Sequence, residues 1–271
     1  MTASSHPLDL ATLLEPQGEG RYRGRTSPQY ANMVGPFGGV IAATLLRAAL
    51  EHPDRLGEPI AFTVNYAGPI ADGEFDLQAR PVRTNRSTQH WWVELLQNEQ
   101  VAATATGVFA SRRETWSSVE ARFPEVPQAA TLPRYPNVGR ASWTQCYDMR
   151  FVQGEMQFSA PAPPQQDSAS TLWIRDEPPR LLDFISLVAI SDAFFPRIFV
   201  RRPLWTPIGT VSFTTYFHAD ATTLDAAGDA AVLGIARAHQ FRNGYFDQSA
   251  EVWAATGALL ATSHQIVYYK E

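Results

Sequence analysis

The chain carries a single cysteine, Cys146, among its 271 residues. One thiol excludes an internal disulfide framework, and no paired Cys/His spacing offers a structural zinc site. A reducing compartment is therefore the expectation. Excess positive charge is also missing, since 22 Lys and Arg stand against 27 Asp and Glu for a net charge of −5. No basic run offsets that balance, so nucleic acid is not an expected partner. No stretch reaches the roughly 18 apolar residues of a membrane span, and Met1 to Pro16 lacks the basic start and apolar core of a secretion signal. The sequence reads as cytoplasmic. Neither a Gly-x-Ser-x-Gly elbow, nor a phosphate loop, nor a dinucleotide fingerprint occurs, which removes the motif-borne forms of serine hydrolysis and nucleotide chemistry. No metal or cofactor is expected.

What is present is a repeat. Phe62-Thr63-Val64-Asn65-Tyr66, Ala79-Arg80 and the segment Val101 to Phe109 are echoed by Phe213-Thr214-Thr215-Tyr216-Phe217, Ala236-Arg237 and Leu259 to Val267. The offset grows along the copy, so the second copy has a longer turn after its first strand. A repeat of this length implies two similar domains fused in one chain rather than a solenoid. Domains of roughly 100–150 residues can each bury a proper core. The boundaries expected are 1–115 and 144–271, joined by a linker at 116–143 in which Pro124, Pro127, Pro133 and Pro136 break any regular pattern.

Each copy of the repeat follows an apolar helix-like run. Gly35-Pro36-Phe37-Gly38-Gly39 leads into a helix through Glu51 that is apolar on nearly every face, with Arg47 its lone charge. Such a helix is wrapped by other structure. Residues 60–66, 74–83, 88–98 and 101–110 then read as strands, separated by Asp-Gly and Asn-Glu turn signals. The second copy has probable strands at 146–153 and 171–176 and a helix from about Pro179 to Phe195, closed by Pro196. Four antiparallel strands around one buried helix is the expected unit.

The chemical anomaly is Asp192, an acid in the second apolar helix. A carboxylate there is costly unless it is hydrogen-bonded or opens on a polar cavity. The plainer reading is a last-turn Asp that faces solvent or caps a loop. Asp183 lies on the opposite helix face and reads as a first-turn carboxylate favoured by the helix dipole.

These residues together resemble the acyl-CoA thioesterase II family, whose members fuse two hot-dog domains. Phe37-Gly38-Gly39-Val40-Ile41-Ala42-Ala43 is similar to that family's Phe-Gly-Gly helix start. Ile190-Ser191-Asp192-Ala193, Gly209-Thr210-Val211 leading to Tyr216-Phe217-His218, and Ala261-Thr262-Ser263-His264-Gln265 match the places of its helix Asp, strand Thr and last-strand Gln. The resemblance implies an α+β double hot-dog, two tandem units each with a long central helix wrapped by an antiparallel sheet. It implies a lipid-metabolism hydrolase that acts on acyl-CoA, in which Asp192, Thr210 and Gln265 activate water; related fusions commonly dimerise, so a homodimer is expected. Where the family often has Asp-His after the Thr, this chain has Ser212 and Phe213, which points to a changed acyl preference. The first-copy position matching Gln265 is near Gly107, which cannot orient a water.

Thioester hydrolysis needs a held water, a base or polariser for it and donors for the oxyanion; Asp192 can accept the water's proton or act as nucleophile, with Thr210 and Gln265 fixing the water's direction. Gly38 and Gly39, at a helix N-terminus, can present N–H groups to the thioester oxygen, or can serve close helix packing. Arg83 and Arg86 suit coenzyme A phosphates or a solvated turn. His218 reads first as a hydrogen-bonded strand-end histidine. Trp91-Trp92 and Tyr268-Tyr269 should each send one ring to the core. Two other readings compete: a hydratase or dehydratase on the same fold, which wants an Asp and a His together near a helix start, and a non-catalytic acyl or acyl-CoA binding protein.

Overall fold

The computed structural model describes residues 6–137, 140–156 and 164–271. In the first half, α1 (Pro7–Ala11) precedes β1 (Glu15–Gly18), β2 (Arg21–Arg25), the helix α2 (Gly38–Leu50), and then β3 (Glu58–Tyr66), β4 (Glu74–Thr84), β5 (Thr88–Gln97) and β6 (Gln100–Ala110). The second half follows with β7 (Tyr147–Gln153), β8 (Ser170–Asp176), α3 (Phe184–Ser191), α4 (Arg197–Arg201), β9 (Ile208–Phe217), α5 (Ala221–Ala227), β10 (Val232–Arg237), β11 (Phe241–Arg242), β12 (Tyr245–Trp253) and β13 (Leu259–Tyr269). The longer turn expected after the first strand of the second copy is α5.

The strands form one antiparallel sheet in the order β1-β2-β4-β5-β6-β3-β9-β13-β12-β10-β8-β7, with β11 beside β12. Exchanging the copies leaves that order unchanged, so a pseudo-twofold axis crosses the β3–β9 seam. Thr63 and Thr214, 151 residues apart, are register partners there, with hydroxyl oxygens 3.0 Å from each other. Side chains alternate as the pleat requires: Phe62 and Val64 on β3, and Phe213, Thr215 and Phe217 on β9, are buried. Trp91 likewise faces the core while Trp92 is half-buried.

Helix α2 lies against the sheet with Leu45, Leu46, Ala48 and Ala49 fully enclosed. Each enclosed leucine contributes about 2 kcal/mol. The second helix is shorter than its apolar run predicts, at Phe184–Ser191 rather than Pro179 to Phe195. Asp183 caps it by accepting the Ser186 amide at 2.8 Å, and Pro178 and Pro179 stand just ahead of that cap. At the other end Asp192 is the C-cap, and Pro196 starts α4 as its N-cap. Leu182, Phe194 and Phe195 are buried outside the helix, so their apolar character reports enclosure rather than helicity. The two central helices pack so tightly that a Cβ on Gly39 would stand 2.7 Å from the Ala189 carbonyl oxygen.

The proline-rich connection is not free. Phe123 packs on Trp173 and Trp253 at ring separations of 6.4 and 6.0 Å, and the Trp173 indole donates to Pro127 at 2.8 Å. Proline suits a chain laid across an outer sheet face because it needs no ladder partner. Farther on, Trp143 stacks on Phe37 at 4.3 Å, so the connection also reaches the start of α2.

Candidate active site

The candidate site lies where the N-terminus of α2 meets the C-terminal end of α3. The carboxylate of Asp192, 9% exposed, accepts a hydrogen bond from Gln265 Nε2 at 2.6 Å and another from the Gly39 backbone N–H. Gln265 Oε1 in turn accepts from the Thr210 hydroxyl at 3.4 Å. The structure thus brings Asp192, Thr210 and Gln265 into one chain of hydrogen bonds, with Gly39 beside them. Burial pushes the Asp192 carboxyl up from 3.8 to about 7, while the bonds from Gln265 and Gly39 hold it down. The positive end of α2 favours the charged form in the same sense.

Thr210 reaches this cluster through a bulge. On β9, Ser212 pairs with Ile266 and Thr210 with Val267, leaving Val211 as an extra residue. Strict alternation from the buried Phe213 would turn Thr210 outward; the bulge restores it to the inner face, and Val211 is 38% exposed instead. The same irregularity occurs on β3 between Pro59 and Ala61, at the position the repeat predicts. Gln265 pairs with Phe213 as Gly107 pairs with Phe62, so Gly107 is the structural counterpart of Gln265.

Gly38 and Gly39 play unequal parts. The Gly39 amide is directed at Asp192, and a Cβ on Gly38 would stand 2.8 Å from Asp192 Oδ2 and 3.3 Å from the Tyr66 hydroxyl. Tyr66, from the end of β3, donates to the Gly38 carbonyl at 2.7 Å. Burial and the nearby Asp192 raise its phenol well above the ordinary range, so the hydroxyl stays protonated. Sequence reasoning missed Tyr66; the available signal was its alignment with Phe217, which has no hydroxyl.

Arg83 and Arg86 are not brought to this cluster. Register partners link Tyr66 through Ala103 and Leu95 to Leu77 on β4, and the distance from Leu77 to Arg83 is roughly 20 Å at 3.3 Å per residue. Arg83 bonds to Asn85 at 2.9 Å in an exposed turn. His218 bonds to Thr262 at 3.0 Å on the outer face.

The profile of the acyl-CoA thioesterase N-terminal domain matches residues 27–110, and that of the C-terminal domain matches residues 120–269. The chain belongs to the acyl-CoA thioesterase family. It is similar to a conserved hot dog fold protein of unknown function from Alicyclobacillus acidocaldarius, at 47% identity over 99% of both chains with a TM-score of 0.94. The acyl-CoA thioesterase II TesB2 of Mycobacterium marinum shares the fold at 17% identity, covering 97% of this chain and 98% of its own, with a TM-score of 0.78. The tesB protein of Mycobacterium avium subs paratuberculosis does so at 18% identity over 97% and 98%, with a TM-score of 0.76. Among curated proteins none matches. The chain therefore has the double hot-dog architecture, with a thirteen-residue α2 and an eight-residue α3 as its central helices. No helix among its described residues is long and apolar enough to cross a membrane.

Proposed function

We propose that this chain hydrolyses acyl-CoA thioesters at one site, using Asp192 as general base. The observation that carries this is a buried carboxylate held by Gln265 and Gly39 and raised to about 7. A base is most effective when its pKa lies near the working pH. Water bound by Asp192 and Thr210 attacks the thioester carbonyl carbon. Its proton passes to Asp192, the C–S bond breaks, and the protonated Asp192 returns the proton to the departing thiolate. Gln265 holds the carboxylate in line, and the Gly38 amide at the start of α2 is the donor for the oxyanion. Arg83 near the end of β4 and Arg86 in the turn beyond it stand too far from the reacting atoms to touch them, so any role for them lies at the phosphate end of coenzyme A.

The hydratase reading needs an Asp–His pair near a helix start; the His239–Asp247 contact of 2.6 Å has a histidine 59% exposed and lies at a β-hairpin. The test is thiol release from acyl-CoAs of increasing chain length, with wild type and Asp192→Asn compared in folded protein. Turnover that drops by about 10²–10⁴-fold in the variant supports the reading. Turnover that survives moves the chemistry elsewhere, and acyl-CoA binding without turnover by the wild type makes the chain a binding protein. The same reading includes a homodimer, checked by mass in solution.

A further inference from the structure

Asp192 is held from two sides by different halves of the molecule. Gln265 belongs to the second half and makes a direct bond. The other restraint, the Gly39 amide, belongs to the first half and starts a helix that has no side-chain cap: Phe37 at the N-cap makes no such bond. Two consecutive glycines follow, and glycine allows the widest range of backbone conformations. A peptide group in that setting gains from a restraint outside the helix that holds its N–H in one direction.

The Tyr66 hydroxyl supplies one. It donates to the Gly38 carbonyl at 2.7 Å, the carbonyl of the same peptide group whose N–H belongs to Gly39. Gripping the oxygen of that peptide fixes the plane in which its N–H points. Tyr66 and Asp192 flank the same glycine, each within 3.3 Å of where a Gly38 Cβ would stand. The repeat gives an internal control. Phe213 and Phe217 on β9 occupy the positions of Phe62 and Tyr66 on β3, and Phe217 packs edge-on against Phe184, the first residue of α3, at 5.6 Å. At that equivalent contact the ring is kept and the hydroxyl is absent, so packing alone does not call for a tyrosine.

We infer that Tyr66 is a positioning residue for Asp192, acting through the Gly38–Gly39 peptide to hold the amide that the carboxylate accepts. The inference rests on Asp192 as the working carboxylate, and its test has a readout that needs no turnover. In Tyr66→Phe the ring stays and the restraint goes. The bond from Gly39 to the charged carboxylate weakens, so the protonated form gains and the titration midpoint of Asp192 rises.

The measurement is the pH titration of carboxyl-¹³C aspartate signals, with Asp192 assigned by its loss in Asp192→Asn, run beside the pH profile of kcat/KM. In Tyr66→Phe the midpoint moves up by about half a unit or more, a threefold change in proton affinity, and kcat at neutral pH falls about tenfold with KM changed less than twofold. The control Phe217→Tyr leaves the Asp192 midpoint in place. An unchanged midpoint in a folded Tyr66→Phe protein overturns the inference, whether or not acyl-CoA is the substrate. A shifted midpoint with no acyl-CoA turnover in the wild type keeps the inference and removes the thioesterase reading.

Discussion

The pseudo-twofold axis gives the molecule two equivalent clefts, and they have been put to opposite uses. At one, Gly38 starts its helix beside Tyr66 and the buried Asp192 carboxylate, with no side chain of its own between them. At the other, Phe184 starts its helix and packs on Phe217, while Pro59 and Gly107 stand where the first cleft has Thr210 and Gln265. The last turn of α2 carries Arg47, whereas α3 closes on Asp192. Helix α1 brings in Asp9, which lies 3.6 Å from Arg47 and 2.7 Å from Arg180, and Arg180 also bonds Asp183 at 2.7 Å. Among the described residues no cation pairs the buried carboxylate of the first cleft; the other pairs every charge named and fills the space with rings. The comparison teaches that missing side-chain volume, as much as the Asp192, Thr210 and Gln265 hydrogen bonds, distinguishes the end at which we place the reaction.

The sharpest way to erase the difference is to give the first cleft the bulk of the second. Gly38→Leu places a side chain within 2.8 Å of Asp192 Oδ2, and kcat/KM is expected to fall at least about 10²-fold through displaced water and substrate, as read by thiol release in protein whose circular dichroism is unchanged.

Next in size is the electrostatic asymmetry. Burial raises the Asp192 carboxyl from 3.8 to about 7, so the folded chain retains a proton that the unfolded chain releases. Stability from that group is full below the unfolded value and is lost as pH rises through the folded one. Asp192→Asn therefore unfolds at a higher temperature than the wild type, with a gap wider at pH 8 than at pH 5 and on the order of 1–4 kcal/mol. With Asp192 as the proposed base, activity is expected to run the other way, with kcat/KM declining below about pH 7 as the carboxylate is protonated.

Smaller effects test single contacts. Thr210→Val, which removes the hydroxyl 3.4 Å from Gln265, should lower kcat about tenfold, equivalent to about 1.4 kcal/mol. Asp9→Ala at the opposite cleft should cost about 2 kcal/mol in denaturant unfolding and leave kcat unchanged.

Much of this arrangement was legible in the residues. The repeat announced the two copies, and the strand limits followed from Val, Thr and aromatic runs bounded by turn residues. Asp192 stood out because a carboxylate amid apolar neighbours needs a reason. Three things were hidden. The helix limits of α3 were obscured because enclosed loop residues such as Phe194 and Phe195 are as apolar as helical ones. The inward turn of Thr210 depends on the extra residue Val211, and alternation read from β9 alone assigns it the wrong face. Tyr66 looked like a strand residue, because its partner is a backbone carbonyl that no side-chain pattern marks. Arg83 and Arg86 lie away from the Asp192 cluster, with Arg83 bonded to Asn85 in an exposed turn, and a basic turn attracts notice wherever it lies.

The connection that runs over Trp173 and Trp253 has a hereditary consequence beyond its packing. In an assembly of two identical short chains, every codon change appears at both clefts at once, so a glycine and a phenylalanine could never be chosen separately for the same place. With both copies in one chain, each cleft has codons of its own. Gly38 and Phe184 are the record of that independence.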